Sequence, residues 1–129
     1  ADAAGAHGLI IPERRAVGIT AGAVRASAGA LEHVKVSRVG NLNRTIERLK
    51  EIGTMVIGLD AEGDVEYTEA DYTGPTVIVI GSEGKGISRL VRENCDQIVS
   101  IPMAGKLSSL NASVSAGLVL YEAYRQRRA

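Results

Sequence analysis

The sequence predicts an α/β fold with a parallel sheet. Five short runs of aliphatic and β-branched residues have the length of strands, and they alternate with stretches of helical periodicity. The runs are continuously apolar, which is typical of parallel strands covered by helices on both faces. With 129 residues and 45% hydrophobic content, the chain is long and apolar enough to form a core. We therefore predict one α/β domain spanning residues 1–129.

The predicted elements follow in a regular order. Strands are expected at residues 8–11, 34–36, 54–59, 76–80 and 97–101. Helices are expected at residues 21–32, 41–52, 88–93 and 109–127, so crossovers between parallel strands are available. The acidic stretch at residues 61–75 is the nearest thing to a linker, and it is too short to separate domains.

The last predicted helix carries more apolar side chains than one face needs. One stripe recurs every three or four residues and consists of Leu110, Val114, Leu118 and Tyr121. Apolar side chains beyond this stripe include Val119, Leu120 and Tyr124. Either they all pack on the sheet, or the helix also buries a face against a second copy of the chain, which predicts a homodimer.

Charge and cysteine content limit the classes of protein. Fifteen basic residues balance fifteen acidic ones, so net charge does not indicate a protein that coats nucleic acid. Bases of the C-terminal half either meet phosphate or are solvated helix faces: Lys85, Arg89, Arg92, Lys106, Arg125, Arg127 and Arg128. The single Cys95 fits a reducing, cytoplasmic compartment, and no apolar run approaches the roughly 20 residues that span a bilayer. The spacing of Cys, His and carboxylates predicts no metal site.

The first candidate loop is "VIVIGSEGKGIS", residues 77–88, where a strand runs into glycines and then a helix. Gly81, Gly84 and Gly86 let the backbone approach a ligand such as a nucleotide, or they form only a tight turn. The spacing matches neither a P-loop nor G-x-G-x-x-G. Glu83 would repel a phosphate and could instead hold a hydroxyl or a backbone amide.

The second candidate loop is "IPMAGKLSSLN", residues 101–111. Pro102 ends the preceding strand, Gly105 permits a turn, and Ser108 or Ser109 can cap the last helix. Asn111 is expected two residues inside that helix, where it can present an amide. Apolar side chains could wall a flat ring such as adenine, or belong to an ordinary core: Ile101, Met103 and Leu110. Both loops follow predicted strands, where parallel sheets bind ligands, so we predict one shared site.

A family resemblance covers nearly the whole chain. The segment "VIVIGSEGKGISRLVRENCDQIVSIPMAGKLSSLNASVSAGLVLYEAYRQR" resembles motifs 2 and 3 of the SpoU/TrmH branch of the SPOUT RNA methyltransferases, and the similarity continues through "ADAAGAHGLIIPERRA". The resemblance implies a three-layer α/β fold with a deep trefoil knot and a homodimer. It also implies that S-adenosylmethionine serves as cofactor for methylation of a ribose 2′-hydroxyl in tRNA or rRNA.

The resemblance also assigns site residues. It implies cofactor contacts, largely through the backbone, at Gly81, Ile101 and Leu110, with Met103 and Gly105 shaping the adenine pocket. The catalytic polar residues that it implies, which order the site and the contribution of the neighbouring subunit, are Glu83, Ser109 and Asn111.

The first motif of that family has no counterpart in this sequence. It has the form Asn-x-Gly-x-x-x-Arg-Ser/Thr-Ala and supplies the asparagine and arginine that contact RNA and activate the hydroxyl. "ADAAG" resembles the residues just beyond that arginine, so we expect an enzyme portion that lacks this motif, a central strand and the general base. Two alternatives stay open: a non-catalytic RNA-binding module that keeps the fold, and a nucleotide-binding protein that uses the glycine loop for phosphate.

Overall fold

A computed structural model describes residues 4–12, 34–81, 86–105 and 111–128. The chain divides into two compact units, Ala1–Leu42 and Asn43–Ala129. In the first unit, β1 (Gly8–Pro12) pairs in parallel with β2 (Lys35–Val39), with Leu9 opposite Val36. The strand predicted at residues 34–36 lies at residues 35–39. The prediction missed its last three residues because Ser37 and Arg38 interrupt the apolar pattern. The helix predicted at residues 21–32 lies outside the described residues.

The second unit contains a parallel sheet. Within the described residues its strands are β3 (Met55–Leu59), β4 (Val65–Glu66), β5 (Thr76–Ile80) and β6 (Gln97–Ser100), in the order β4-β6-β3-β5. Every pairing is parallel, which confirms the predicted class. The helices that the structure describes are α1 (Leu42–Glu51), α2 (Arg89–Asn94) and α3 (Ala112–Arg128).

Strand β3 is covered on both faces. Ile57 belongs to a fully buried cluster with Val99 and with Val119 of α3. On the opposite face, Gly58 lies so close to its neighbours that an added Cβ would be 2.9 Å from the Cys95 sulfur atom and from the Ile87 side chain. Residues of α2 and its flanks therefore cover one face of β3, and α3 covers the other. The apolar run at residues 54–59 correctly predicted a strand buried on both faces.

The stretch at residues 61–75 is folded against the core, although its acidic composition is that of a linker. It contains β4, a single 3-10 turn (Tyr67–Glu69) and the fully buried Tyr72. The Tyr72 hydroxyl donates a 2.6 Å hydrogen bond to the Tyr67 carbonyl. Gln126 and Arg127 of α3 bind the backbone at Tyr72 through hydrogen bonds of 2.9 Å. Because the stretch is rich in acidic residues, its composition did not indicate that it contains buried residues.

The described residues of the predicted apolar stripe, Val114, Leu118 and Tyr121, are exposed on helix α3 and do not face the core. The buried residues of α3 are Val119 and Glu122. The exposed apolar side chains of the helix are Val114, Leu118, Tyr121 and Tyr124. The carboxylate of Glu122 is 7% exposed and accepts hydrogen bonds from Arg125 and Gln126, so a polar residue occupies a core-facing position. The periodicity identified the helix correctly, but it did not identify the face that packs on the sheet.

Candidate functional site

The candidate site is at the carboxyl edge of the parallel sheet. Leu59 of β3 is level with Ile80 of β5 on one side and with Val99 of β6 on the other. The chain therefore leaves three adjacent strands at one edge, at Asp60, Gly81 and Ser100. Neighbouring strands are about 4.8 Å apart, so the exits from β5 and β6 are separated by about 10 Å. Both predicted loops begin at this edge, which is where open parallel sheets bind ligands.

Gly81 directly follows β5 and is in close contact with Gly86 and Ile87 at the far end of the glycine loop. An added Cβ would lie 2.6 Å from the Ile87 nitrogen and closer still to the carbonyl carbon of Gly86. Gly86 has a φ of +68°, a conformation that favours glycine. The loop thus returns to its own starting point, and both ends of that closure depend on glycine. The structure thus describes the two ends of the G-x-x-G-x-G segment, which lie in contact with each other.

Asp60 lies between the two loops. Its side chain is 14% exposed and forms an ion pair of 3.2 Å with Arg92 of α2. Its carboxylate also accepts a 2.9 Å hydrogen bond from the Glu62 backbone N–H. Burial acts to raise the pKa of Asp60, but the Glu62 hydrogen bond, the Arg92 charge and a hydrogen bond from the Ile87 N–H together lower it below its ordinary value. A carboxylate at this edge is therefore ionised at neutral pH.

The turn after β3 is fixed to the end of β6. The Asp60 N–H donates a 3.0 Å hydrogen bond to the Val99 carbonyl, and the Gly63 N–H donates one of the same length to the Asp60 carbonyl. An added Cβ at Gly63 would lie 2.7 Å from the Val99 oxygen. The backbone after β3 and the backbone entering residues 101–105 are consequently in contact. Sequence reasoning did not select Asp60, although its position directly after a predicted strand is a usable signal.

The junction after β6 leaves the sheet without regular structure over residues 101–105. The Ile101 side chain packs partly against the core, Met103 is 36% exposed, and Gly105 has nothing within 4 Å of an added Cβ. Of the predicted cofactor residues, Gly81 directly follows β5, and Ile101, Met103 and Gly105 lie in the segment that follows β6. Leu110 lies outside the described residues, as do the predicted catalytic residues Glu83 and Ser109.

Asn111 is the N-cap of α3. Its side-chain oxygen accepts hydrogen bonds from the backbone N–H groups of Ser113 at 2.8 Å and Val114 at 3.3 Å. Its carbonyl accepts the first helical bond from Ser115. The expectation that Asn111 lies two residues inside the helix was wrong, because the helix begins at Ala112. Its short amide satisfies the N–H groups of the first turn, which have no partner within the helix.

The basic residues of the C-terminal half are engaged to different degrees. Arg92 pairs with Asp60, and Arg127 donates to the carbonyls of Tyr72 and Gly74, so these two belong to the fold. Arg89 pairs with Glu93 at 3.8 Å on the surface, where an ion pair contributes little. Lys85 and Lys106 lie outside the described residues. Helix α3 ends with Arg128 packed 5.5 Å from the centre of an aromatic ring.

Cys95 is a half-buried structural residue at the end of α2. Its thiol donates to the Val91 carbonyl at 3.3 Å. Burial raises the pKa of this thiol, and the charge of Asp96 raises it further, although Lys50 and Arg92 act in the opposite direction. A thiol of this kind is a poor nucleophile. Over the described ranges no three His, Cys, Asp or Glu side chains are grouped as metal ligands, and none of the helices described there is long and apolar enough to cross a membrane.

Comparisons with known proteins identify the family. The SpoU rRNA Methylase family matches residues 1–121. YacO of Bacillus subtilis (strain 168), which is named as a TrmH family tRNA/rRNA methyltransferase, is 56% identical over 127 residues, covering 98% of this chain and 51% of YacO. The SpoU methyltransferase AviRb of Streptomyces viridochromogenes, solved with AdoMet, superposes with a TM-score of 0.88 at 41% identity, covering 98% of this chain and 52% of AviRb.

A third relative is a solved RNA 2′-O ribose methyltransferase. It superposes with a TM-score of 0.86 at 30% identity, covering 99% of this chain and 49% of the other. The chain thus spans about half the length of the relatives it matches. The match of the family over residues 1–121, the identity to YacO and the likeness of fold agree with one another, and the chain belongs to the SpoU rRNA methylase family.

Proposed function

We propose that the protein is an S-adenosylmethionine-dependent RNA 2′-O-ribose methyltransferase that acts on rRNA or tRNA. The observation that carries the proposal is the convergence of Gly81, Asp60 and residues 101–105 at one edge of the sheet in a member of the SpoU family. The AdoMet bound in AviRb and the 2′-O ribose activity named for another solved relative support the same reaction.

The residues at this edge fit the proposed cofactor. The glycine loop presents backbone at Gly81 and Gly86. Among the described residues nothing lies within 4 Å of an added Cβ at Gly105, and Met103, two residues earlier, is a partly exposed apolar side chain. When bound, the cofactor supplies a methyl group on a sulfonium, which is already a good electrophile. The chain's residues then have to hold the ribose hydroxyl in line and help remove its proton.

The polar residues of the reaction stay predictions. Glu83, Ser109 and Asn111 are proposed as the catalytic group that orders the site, and Leu110 as a further cofactor contact. Burial and hydrogen bonding hold the Cys95 thiol neutral, so it is not a candidate for the general base. The deep trefoil knot implied by the resemblance is also a proposal, and so is the assignment of residues 1–129 to one methyltransferase domain. A crystal structure that traces residues 101–111 through a loop of the chain would establish the knot.

We also propose that α3 forms a homodimer contact with a second copy of the chain. Its exposed apolar stripe consists of Val114, Leu118, Tyr121 and Tyr124, with exposed fractions between 37% and 52%. The rings of Tyr121 and Tyr124 pack edge to face, with centroids 6.3 Å apart, which makes a rigid surface. A stripe of this kind repeated on two copies buries apolar area at a two-fold axis.

The dimer is tested by light scattering at micromolar concentration. Leu118→Glu places a charge in the stripe and should convert a dimer into a monomer. Leu90→Glu is the matched control, because Leu90 is 57% exposed on α2 and lies outside the stripe. A wild-type protein of monomeric mass, or a Leu118→Glu variant that stays dimeric, would contradict this contact.

The cofactor is tested by calorimetric titration with S-adenosylhomocysteine, with ATP plus magnesium as the comparison. Saturable binding of the first and not of the second supports the methyltransferase, and methyl transfer to rRNA or tRNA completes the test. Binding of RNA without affinity for S-adenosylhomocysteine would instead favour the non-catalytic RNA-binding module. A cytoplasmic location stays our prediction for such a protein, in keeping with its single cysteine.

A further inference from the structure

The Asp60 carboxylate connects elements that are distant in the sequence. It directly follows Leu59, which is level with Ile80 of β5 and Val99 of β6, and it receives the Arg92 side chain from α2 at 3.2 Å. The Ile87 backbone N–H also acts on this carboxylate and lowers its pKa. An added Cβ at Gly86 would lie only 2.9 Å from one of its oxygens, so the closing end of the glycine loop rests directly against this carboxylate.

The backbone of Asp60 makes the second connection. Its N–H donates to the Val99 carbonyl, one residue before the end of β6 and two before Ile101. Asp60 thus makes two contacts. Its backbone binds the strand that leads to the second loop, and its side chain contacts the end of the first loop. Cutting the carboxylate contacts would release Gly86 and Ile87 while leaving the backbone bond to Val99 in place.

We propose that Asp60 is a positioning residue for the cofactor site, which together with Arg92 holds the closing end of the glycine loop, Gly86 and Ile87, in place for cofactor binding. The inference rests on the proposed function. An ionised carboxylate with charge-assisted bonds is roughly twice as strong an acceptor as a neutral amide. Its replacement by an amide of the same shape therefore loosens the loop without leaving a cavity.

The consequence is a specific loss of cofactor affinity. Asp60→Asn should raise the Kd for S-adenosylhomocysteine about 10-fold, because one charge-assisted contact is lost from the bound conformation. At saturating cofactor the methyl-transfer kcat should stay within about 2-fold of wild type, because Asp60 does not touch the reacting atoms in this scheme. If Asp60 had a purely structural role, Asp60→Asn would lower the melting temperature, and it would not raise the KM for the cofactor while leaving kcat unchanged.

Partner variants test whether the pair acts as a unit. Arg92→Gln should raise the Kd as much as Asp60→Asn, and the double variant should add little to either, since both remove the same interaction. Arg92→Lys keeps the positive charge and should restore part of the affinity. Asp71→Asn is the matched control, because Asp71 also accepts a backbone N–H two residues on, at 2.9 Å, but lies in the segment that leads into the amino end of β5.

The experiment is a set of S-adenosylhomocysteine titrations on the full-length protein, with melting temperatures recorded alongside. Tight binding by wild type and by Asp71→Asn, with weak binding by Asp60→Asn and Arg92→Gln, is the expected result. Unchanged affinity in Asp60→Asn, or additive losses in the double variant, would overturn the positioning role while the proposed function stands. Absence of binding in wild type would overturn the proposed function, and the positioning role with it.

Discussion

Replacement of Gly81 by alanine tests the closure of the glycine loop. The added Cβ would lie 2.6 Å from the Ile87 nitrogen, whereas ordinary contact begins at 3.4 Å. The two backbone segments would have to separate by more than the difference of about 0.8 Å between these distances, because the Gly86 carbonyl carbon is closer to the added Cβ than the Ile87 nitrogen is. Nearby backbone atoms cannot rotate away as a flexible side chain can. A misplacement of about 1 Å at a site of this kind costs on the order of 100-fold.

We expect Gly81→Ala to weaken S-adenosylhomocysteine binding by at least about 10-fold, measured by calorimetry below the melting temperature of the variant. Gly74→Ala is the matched control, because Gly74 precedes the amino end of β5 and has nothing within 4 Å of an added Cβ. That control should bind as wild type does. An affinity within about 2-fold of wild type for Gly81→Ala would refute the assignment of the loop to the cofactor site.

Three further outcomes are expected. Gly105→Ala fills open space, so it should leave the melting temperature unchanged while lowering cofactor affinity; unchanged affinity would remove Gly105 from the pocket. Asn111→Ala should cost about 1 kcal/mol of stability and abolish methyl transfer, whereas Asn111→Asp should keep the cap and lose only the transfer. Burial, then Glu122 and Tyr67, raise the pKa of Tyr72 to about 12 from 10.0. The free energy of unfolding should therefore be unaffected by this group below about pH 10 and should fall by about 2 kcal/mol by pH 12. Urea unfolding measures this loss, and the Tyr72→Phe variant should not show it.

The sequence predicted best those elements whose local pattern and burial agree. The strand expected at residues 76–80 matches β5 to the residue, and the one at 54–59 differs from β3 by one residue. Both are aliphatic runs covered by other elements. The helix expected at residues 41–52 differs from α1 by only one residue at each end. This prediction succeeded because the buried Ile46 and the charged residues around it form an amphipathic pattern.

The features that the sequence could not predict depend on contacts between residues that are far apart in the chain. Tyr72 is buried because the amide of Gln126, far along the chain, binds its backbone N–H and the Ala70 carbonyl. No local pattern indicates such a pair. The same holds for Asp60 and Arg92, whose ion pair joins a strand end to a separate helix. Both predicted loops begin where β5 and β6 end, as expected, but the contacts of Asp60 with Arg92 and Gly86 are visible only in the folded structure.

The choice of asparagine at position 111 is not explained by capping alone. Aspartate or serine would accept the N–H groups of Ser113 and Val114 equally well, and a carboxylate would also interact favourably with the helix dipole. What asparagine adds is an amide NH2 group at the last residue of the second loop, residues 101–111. Because the cap fixes the side-chain oxygen, the direction of that amide is fixed with it. A capping asparagine can thus orient a polar group without a further structural element, which is what the proposed reaction requires of residue 111.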